Sequence, residues 1–248
     1  MNVGLLHPGE MGAAIGAALR AAGHEVLWAS AGRSEATRAR AGDFTDAGTV
    51  DELAARSEVV FSVVPPHAAL ELAESLPPFP GIFVDANAVS PATAARAGAA
   101  VRRFVDGGIV GGPPAPRLYL SGEEAGRVAE LFSGSPIETE IVASASALKC
   151  AYAGWTKASG ALLLALREFA RAEGVWDALA AEWARSQPQL EARLAAAERS
   201  AAAKGWRWIG ETEEIAAALA ADGLPPGFHE AAAAMYRRSA EREDCSLV

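Results

Sequence analysis

Cysteine is nearly absent from this chain of 248 residues, with only Cys150 and Cys245 present. Two thiols so far apart make no disulfide framework, and no Cys/His cluster has zinc-ligand spacing. A disulfide scaffold is excluded, no metal site is expected, and both cysteines are read as free thiols. Long apolar runs are missing too: no segment approaches the ~20 residues of a membrane-spanning helix. Positive charge is in deficit, and the formal net charge of −9 argues against a nucleic-acid or membrane-surface binder. The amino terminus enters a strand at once, without a basic segment or cleavage site. No secretory leader is therefore expected, and a cytoplasmic location is.

One glycine is missing where it matters. Val3 to Leu6 reads as a buried strand, Gly9 and Gly12 follow, and a small-residue helix runs to Gly23. That strand–turn–helix order is where a dinucleotide pyrophosphate sits against a helix N-terminus. In the fingerprint G-x-G-x-x-G, however, the first position is occupied by His7. His7, Pro8, Gly9, Glu10, Met11 and Gly12 are the candidate phosphate-binding turn.

The chain then alternates. Strands are expected at His24–Ala29, Val59–Val64, Ile82–Asp85, Phe104–Asp106, Leu118–Leu120 and Ile137–Ile141, with helices between them. An acid at the end of the second strand would select NAD. Here Ser30, Arg33 and Ser34 stand instead, with Arg38 one turn on, a pattern suited to a 2′-phosphate and hence to NADP. Val64, Pro65 and Pro66 end a fully apolar strand; they either flank the cofactor or simply punctuate the strand. The run DGGIVGG at 106–112 is read as a loop that a substrate approaches closely or that only reverses the chain.

From Ser144 onward no strand is expected, only alanine-rich helix with breaks near Gly174, Pro188, Gly205 and Leu224–Gly227. The expected architecture is α/β: a Rossmann-type doubly wound parallel sheet over 1–143, followed by an all-helical domain over 144–248. On the helix predicted over Ala145–Gly174, Tyr152 lies about 60° and Thr156 about 20° from Lys149. A lysine on such a face serves as a proton donor to a carbonyl oxygen, or else snorkels or forms a helix-to-helix ion pair.

These motifs resemble the β-hydroxyacid dehydrogenase superfamily, which includes 3-hydroxyisobutyrate and 6-phosphogluconate dehydrogenases and the imine reductases. HPGEMG at 7–12 is similar to its G-L-G-x-M-G, DGGIVGG to its substrate loop D-x-P-V-S-G-G, and SALKCAYAGWTK at 146–157 to the segment bearing its catalytic lysine. The stretch from Gln189 to Arg238 resembles a C-terminal domain of unknown function found on phosphogluconate dehydrogenase-like proteins. The resemblance implies an NADP(H)-linked oxidoreductase acting on a hydroxy acid or related carbonyl compound, with Lys149 as general acid/base. It also implies Asn87 on the nicotinamide side, and Gly108, Val110, Gly111, Gly112, Tyr152 and Thr156 at the substrate. A homodimer through the helical domain follows, in which Trp206, Trp208 and Glu211 either close a partner's cleft or fill the core. The sequence departs from the family at His7, at Val110 in place of serine, at Ala153 in place of asparagine, and near Asn87. An imine reductase-like enzyme and a non-catalytic NADP-binding protein are the alternatives.

Overall fold

The continuous apolar runs form strands because helices cover both faces of the sheet they join. The computed structural model describes residues 1–246, with side chains through residue 240, so Cys245 lies outside the described side chains. In chain order the first elements are β1 (Asn2–Leu5), α1 (Glu10–Ala21), β2 (Glu25–Trp28), α2 (Glu35–Ala41), β3 (Thr45–Asp46) and α3 (Val50–Arg56). Next come β4 (Val59–Ser62), α4 (Pro66–Glu74), β5 (Ile82–Asp85), α5 (Pro91–Ala99) and β6 (Phe104–Val110). They are followed by β7 (Arg117–Ser121), α6 (Ala125–Glu130) and β8 (Thr139–Ile141).

The strands make one sheet in the order β3-β2-β1-β4-β5-β6-β7-β8. All neighbours are parallel except β6 and β7. Alternation divides each run between two cores. Val3, Leu5, Phe61 and Val84 pack on one face with Ile15 and Leu19, while Leu27, Val60 and Phe83 pack on the other with Leu53 and Ala97. The expected α/β architecture is borne out, with one antiparallel pair added. After β3 the chain crosses back to lay β4 on the other side of β1. The carboxyl ends of β1 and β4 therefore flank a topological switch point, where doubly wound sheets bind their ligands.

Local differences from the sequence reading have physical causes. β3 is only two residues long, too short to carry a pattern. β6 continues to Val110, where a loop was expected from Asp106, because β7 pairs with it from Asp106↔Ser121 to Val110↔Arg117. Glycine weakens a strand, but it is used where another backbone approaches closely.

The contacts divide the chain into Met1–Cys150 and Ala151–Val248. The first turn of α7 (Ala145–Ala172) thus belongs with the sheet rather than with the helical unit. The helical unit continues through α8 (Trp176–Ser186), α9 (Gln189–Ala221) and α10 (Gly227–Ser246). Gly174, with φ +70°, ends the run of α7 as expected. Gly205, by contrast, sits inside the unbroken α9. A mid-helix glycine costs only about 1 kcal/mol relative to alanine, less than the alanine-rich flanks and their packing supply. Within this unit Tyr236 is fully buried, stacks edge-on against Trp208, and donates to the Lys157 carbonyl at 2.7 Å. Among the described residues no helix is long and apolar enough to cross a membrane.

Candidate active site

The helices that follow the parallel strands differ in how their first turns are finished. Ser34, Thr49 and Ser90 cap α2, α3 and α5 with their own hydroxyls. The first turns of α1 and α4 have no side-chain cap. Those are the two helices that flank the switch point. The positive dipole end of α1 suits an anion there, whereas α4 opens on Pro66, which has no N–H, and its Ala68 N–H donates to the Pro65 carbonyl at 3.0 Å.

The turn before α1 is shaped by its glycines. Gly9 N–H donates to the His7 carbonyl at 2.9 Å. A Cβ on Gly12 would stand 2.3 Å from that same carbonyl oxygen, whereas one on Gly9 would meet only the His7 ring at 3.4 Å. Gly12 thus serves the packing of the turn, while Gly9 keeps the approach to the helix end open. His7 is half-buried, and its Nδ1 is buried without a partner. Burial, then the nearby Arg33 and Arg40 guanidinium groups, hold its imidazole below the usual range. Pro8 is buried, whereas Glu10 is exposed and Met11 packs partly against the core.

Beyond β2, Arg33 reaches back and donates from a terminal nitrogen to the Leu6 carbonyl at 3.1 Å, beside the turn. Its Nε is buried and unpartnered. Two orphaned nitrogens, on His7 and Arg33, thus flank the uncapped helix end, and a phosphate-bearing dinucleotide fits that donor set. Ser30 is buried, and its carbonyl holds Arg38 at 2.9 Å; the Ser34 hydroxyl is spent on capping α2. One residue escaped the sequence reading. Asp46, at the end of β3, hydrogen-bonds the Ser30 side chain, bringing an acid to the end of β2 from a strand too short to recognise. The Gly48 amide first, then the Ser30 hydroxyl, hold its carboxyl below the usual range.

At the end of β4, Pro65 and Pro66 occupy the first positions of α4, where a missing N–H costs nothing. The Asn87 side chain is 3% exposed and locks this corner. Its carbonyl accepts from Val64 N–H at 2.6 Å, and its amide donates to Ser62 Oγ at 2.9 Å and to Asp85 Oδ1. With every polar atom engaged internally, Asn87 shapes the site by holding Val64. Burial pushes the Asp85 carboxyl up to about 7 against the Asn87 N–H bonds that favour its ionised form, with nearby Asp106 adding to the rise.

Lys149 lies in the first turns of α7 and is half-buried. Its Nζ donates to the Ile109 carbonyl at 2.7 Å. β6 is parallel to β5, and so on through β4 to β1, so Lys149 meets β6 at the same sheet edge as the switch point. Gly108 is buried where α7 passes over it, and Val110 is buried at the strand end. Gly111 and Gly112, just beyond, are exposed. Tyr152 and Thr156 belong to the helical unit; Tyr152 is exposed, and the Thr156 hydroxyl donates back to Ala153 O at 3.1 Å. Also in that unit, Glu211 is buried between Lys157 and Arg207, and Lys157 lies over the Trp208 ring, so these residues form an internal ion-pair network. Trp206 is exposed. Among the described residues no three His, Cys, Asp or Glu side chains gather as metal ligands.

Residues 2–89 match the family model for NADP oxidoreductases described as coenzyme F420-dependent, and residues 170–239 match a domain of unknown function. Among solved structures, the chain is similar to a conserved protein of unknown function described as resembling 3-hydroxyacid dehydrogenases. The two share 25% identity over 97% of each chain, with a TM-score of 0.72. It is also similar to 3-hydroxyisobutyrate dehydrogenase from Salmonella typhimurium, with 16% identity, 98% and 95% coverage and a TM-score of 0.68. A reductive aminase from Aspergillus terreus, in complex with NADPH and ethyl levulinate, matches at 18% identity, 97% and 94% coverage and a TM-score of 0.56. No curated protein matches by sequence. The resemblance read from the motifs is borne out, and the fold is that of NAD(P)-dependent oxidoreductases related to the hydroxyacid dehydrogenases.

Proposed function

We propose that this chain, on its hydroxyacid dehydrogenase-like fold, is an NADP(H)-dependent oxidoreductase with Lys149 as general acid/base. It would act between a hydroxy acid and the corresponding carbonyl compound. The observation that carries the reading is the shared edge: an amine fixed at the carboxyl end of β6 and uncapped helix ends at β1 and β4. The nicotinamide supplies or accepts the hydride. The chain's own residues do the rest. The first turn of α1 binds phosphate through its N–H groups, and Arg33 and His7 stand beside it. Asn87 holds Val64 against the nicotinamide side. Lys149, already donating to one oxygen, passes a proton to the substrate oxygen in reduction and takes it back in oxidation. Gly111 and Gly112 offer exposed main chain to the substrate.

We also infer a homodimer through the helical unit. Trp155, Leu162, Leu166 and Phe169 are exposed and recur at spacings of about seven, four and three residues, one apolar stripe along α7. A second copy of the same helix face covers such a stripe symmetrically. The chain is expected to work as a protein of the cell interior on small molecules, without nucleic acid or membrane partners.

The test is a titration with NADPH and NADH, followed by energy transfer from the six tryptophans. Turnover of wild type and Lys149→Ala is then compared. Tight NADPH binding with a loss of about 100-fold or more in the variant is expected. Equal rates remove Lys149 from the chemistry, and binding without turnover on any carbonyl or imine acceptor makes the chain a cofactor-binding protein.

A further inference from the structure

The general-base reading leaves open what holds Lys149 in place, since the asparagine that follows the lysine by one turn in related enzymes is Ala153 here. We propose that Asp106 is the positioning residue of Lys149, acting through the first turn of α7; this rests on the assignment of Lys149 above.

A helix N-terminus leaves its first amides without intrahelical acceptors. In α7 they are satisfied from the sheet. Asp106 Oδ2 accepts from the Ser146 amide and from the Ser146 hydroxyl, both at 2.9 Å. The same oxygen accepts from Ser121 Oγ at 3.0 Å, and Ser121 Oγ in turn accepts from the Ala145 amide at 2.9 Å. Ser144 closes the turn by accepting from Ala147 N–H at 3.2 Å. Asp106 and Ser121 are cross-strand partners in β6 and β7, so the receptor is built into the antiparallel pair. Ser121 and Ser146 are both buried.

The same strand then takes the lysine. Ser146 and Lys149 are three residues apart on a helix, a rise of about 4.5 Å. Asp106 and Ile109 are three apart on a strand, a span of about 10 Å. The lysine stem bridges the difference, and Nζ reaches the Ile109 carbonyl at 2.7 Å. Between the two anchors lies Gly108, where a Cβ would come within 2.7 Å of Ala145 O and 3.2 Å of Lys149 Cβ. Strand β6 thus holds the helix at one end, lets it approach in the middle, and aims its amine at the other.

The experiment reads the amine directly. Lys149 of the full chain is acylated with acetic anhydride over a range of pH and quantified by mass spectrometry, in wild type, Asp106→Ala and Asp106→Asn. Turnover of 3-hydroxyisobutyrate with NADP+ is followed in parallel. Asp106→Ala is expected to displace the pH profile of Lys149 acylation and to lower kcat about tenfold or more, with KM for NADP+ within about twofold. Asp106→Asn keeps an acceptor for Ser146 and is expected to restore both readouts most of the way. Unchanged acylation in Asp106→Ala overturns the proposal. If Asp106→Ala does not fold, the double variant Ser121→Ala/Ser146→Ala removes two of the three donors and is judged by the same displacement. Absence of NADP+-linked turnover in wild type would sink the assigned reaction but leave the acylation comparison standing, so the two failures are distinguishable.

Discussion

Adding one methyl group to Gly9 and to Gly12 separately should have opposite consequences. At Gly12 the new Cβ meets the His7 carbonyl oxygen at 2.3 Å and its carbon at 3.3 Å. Carbon and oxygen normally meet at about 3.3–3.6 Å, so roughly 1 Å of backbone must open. A carbonyl that also accepts from Gly9 N–H cannot swing aside as a side chain would. Overpacking of this kind costs about 1–3 kcal/mol, and alanine over glycine in a helix returns about 1 kcal/mol. The net loss, up to about 2 kcal/mol, lowers Tm by as much as roughly 8 °C in a chain of this size. At Gly9, φ is −67° and the nearest atom is a His7 ring carbon at 3.4 Å, an ordinary contact. Gly9→Ala should therefore melt within about 2 °C of wild type. It should still lose NADPH affinity by about tenfold or more, because the methyl stands between the helix end and a phosphate and disrupts a charge-assisted bond worth about 1.5–3 kcal/mol. Thermal melts and a fluorescence titration of both variants decide the matter. If Gly9→Ala melts lower than Gly12→Ala, or binds NADPH as tightly as wild type, the division of labour between the two glycines is wrong.

Four further outcomes are expected. Arg33→Ala should weaken NADPH by about 1.5–3 kcal/mol more than NADH, and Asp46→Asn should tighten NADPH by removing an acid beside Ser30; paired titrations check both, and an Arg33 effect equal for the two cofactors would refute the 2′-phosphate assignment. Asp85 has a native pKa of about 7, above its usual 3.8, so its stabilising contribution is full below pH 3.8 and is lost as pH rises through 7. Asp85→Asn cannot ionise; between pH 5 and 8 wild type should lose about 2–3 kcal/mol of stability relative to the variant, as read by denaturant melts. Placing two negative charges on the α7 stripe, Leu162→Glu with Phe169→Glu, should yield a monomer by sedimentation with the fold retained.

What the chain discloses before folding depends on how local the cause is. β1, β4 and β5 were readable because burial on both faces demands unbroken apolar runs such as Val59–Ser62. The turn at 7–12 was readable because strand, glycines and helix are contiguous. β6 beyond Asp106 was not: its glycines look like a loop until Arg117–Ser121 folds back to pair with them. Asp46 was hidden for the same reason, since its strand exists only as a partner of β2. Lys149 could be singled out from its helix face, but the oxygen it donates to and the aspartate beneath its helix are both 40 residues or so earlier in the chain. Spacing along a sequence carries periodicity well, and it carries almost nothing about which distant backbone will lie alongside.

The uncapped first turns of α1 and α4 have a consequence beyond recognition. A helix end left without internal partners makes the folded state less stable than it would be with a serine cap, by a few tenths of a kcal/mol at Gly9. A dinucleotide that binds only the native chain returns RT ln(1 + [L]/Kd), about 2.7 kcal/mol at a hundredfold excess over Kd. If the chain binds pyridine nucleotide as proposed, its lifetime in a cell follows the supply of that ligand, with unliganded copies the first to unfold and be degraded. Mutating those turns toward ordinary serine caps would uncouple the two, yielding a sturdier protein that no longer senses whether it can work.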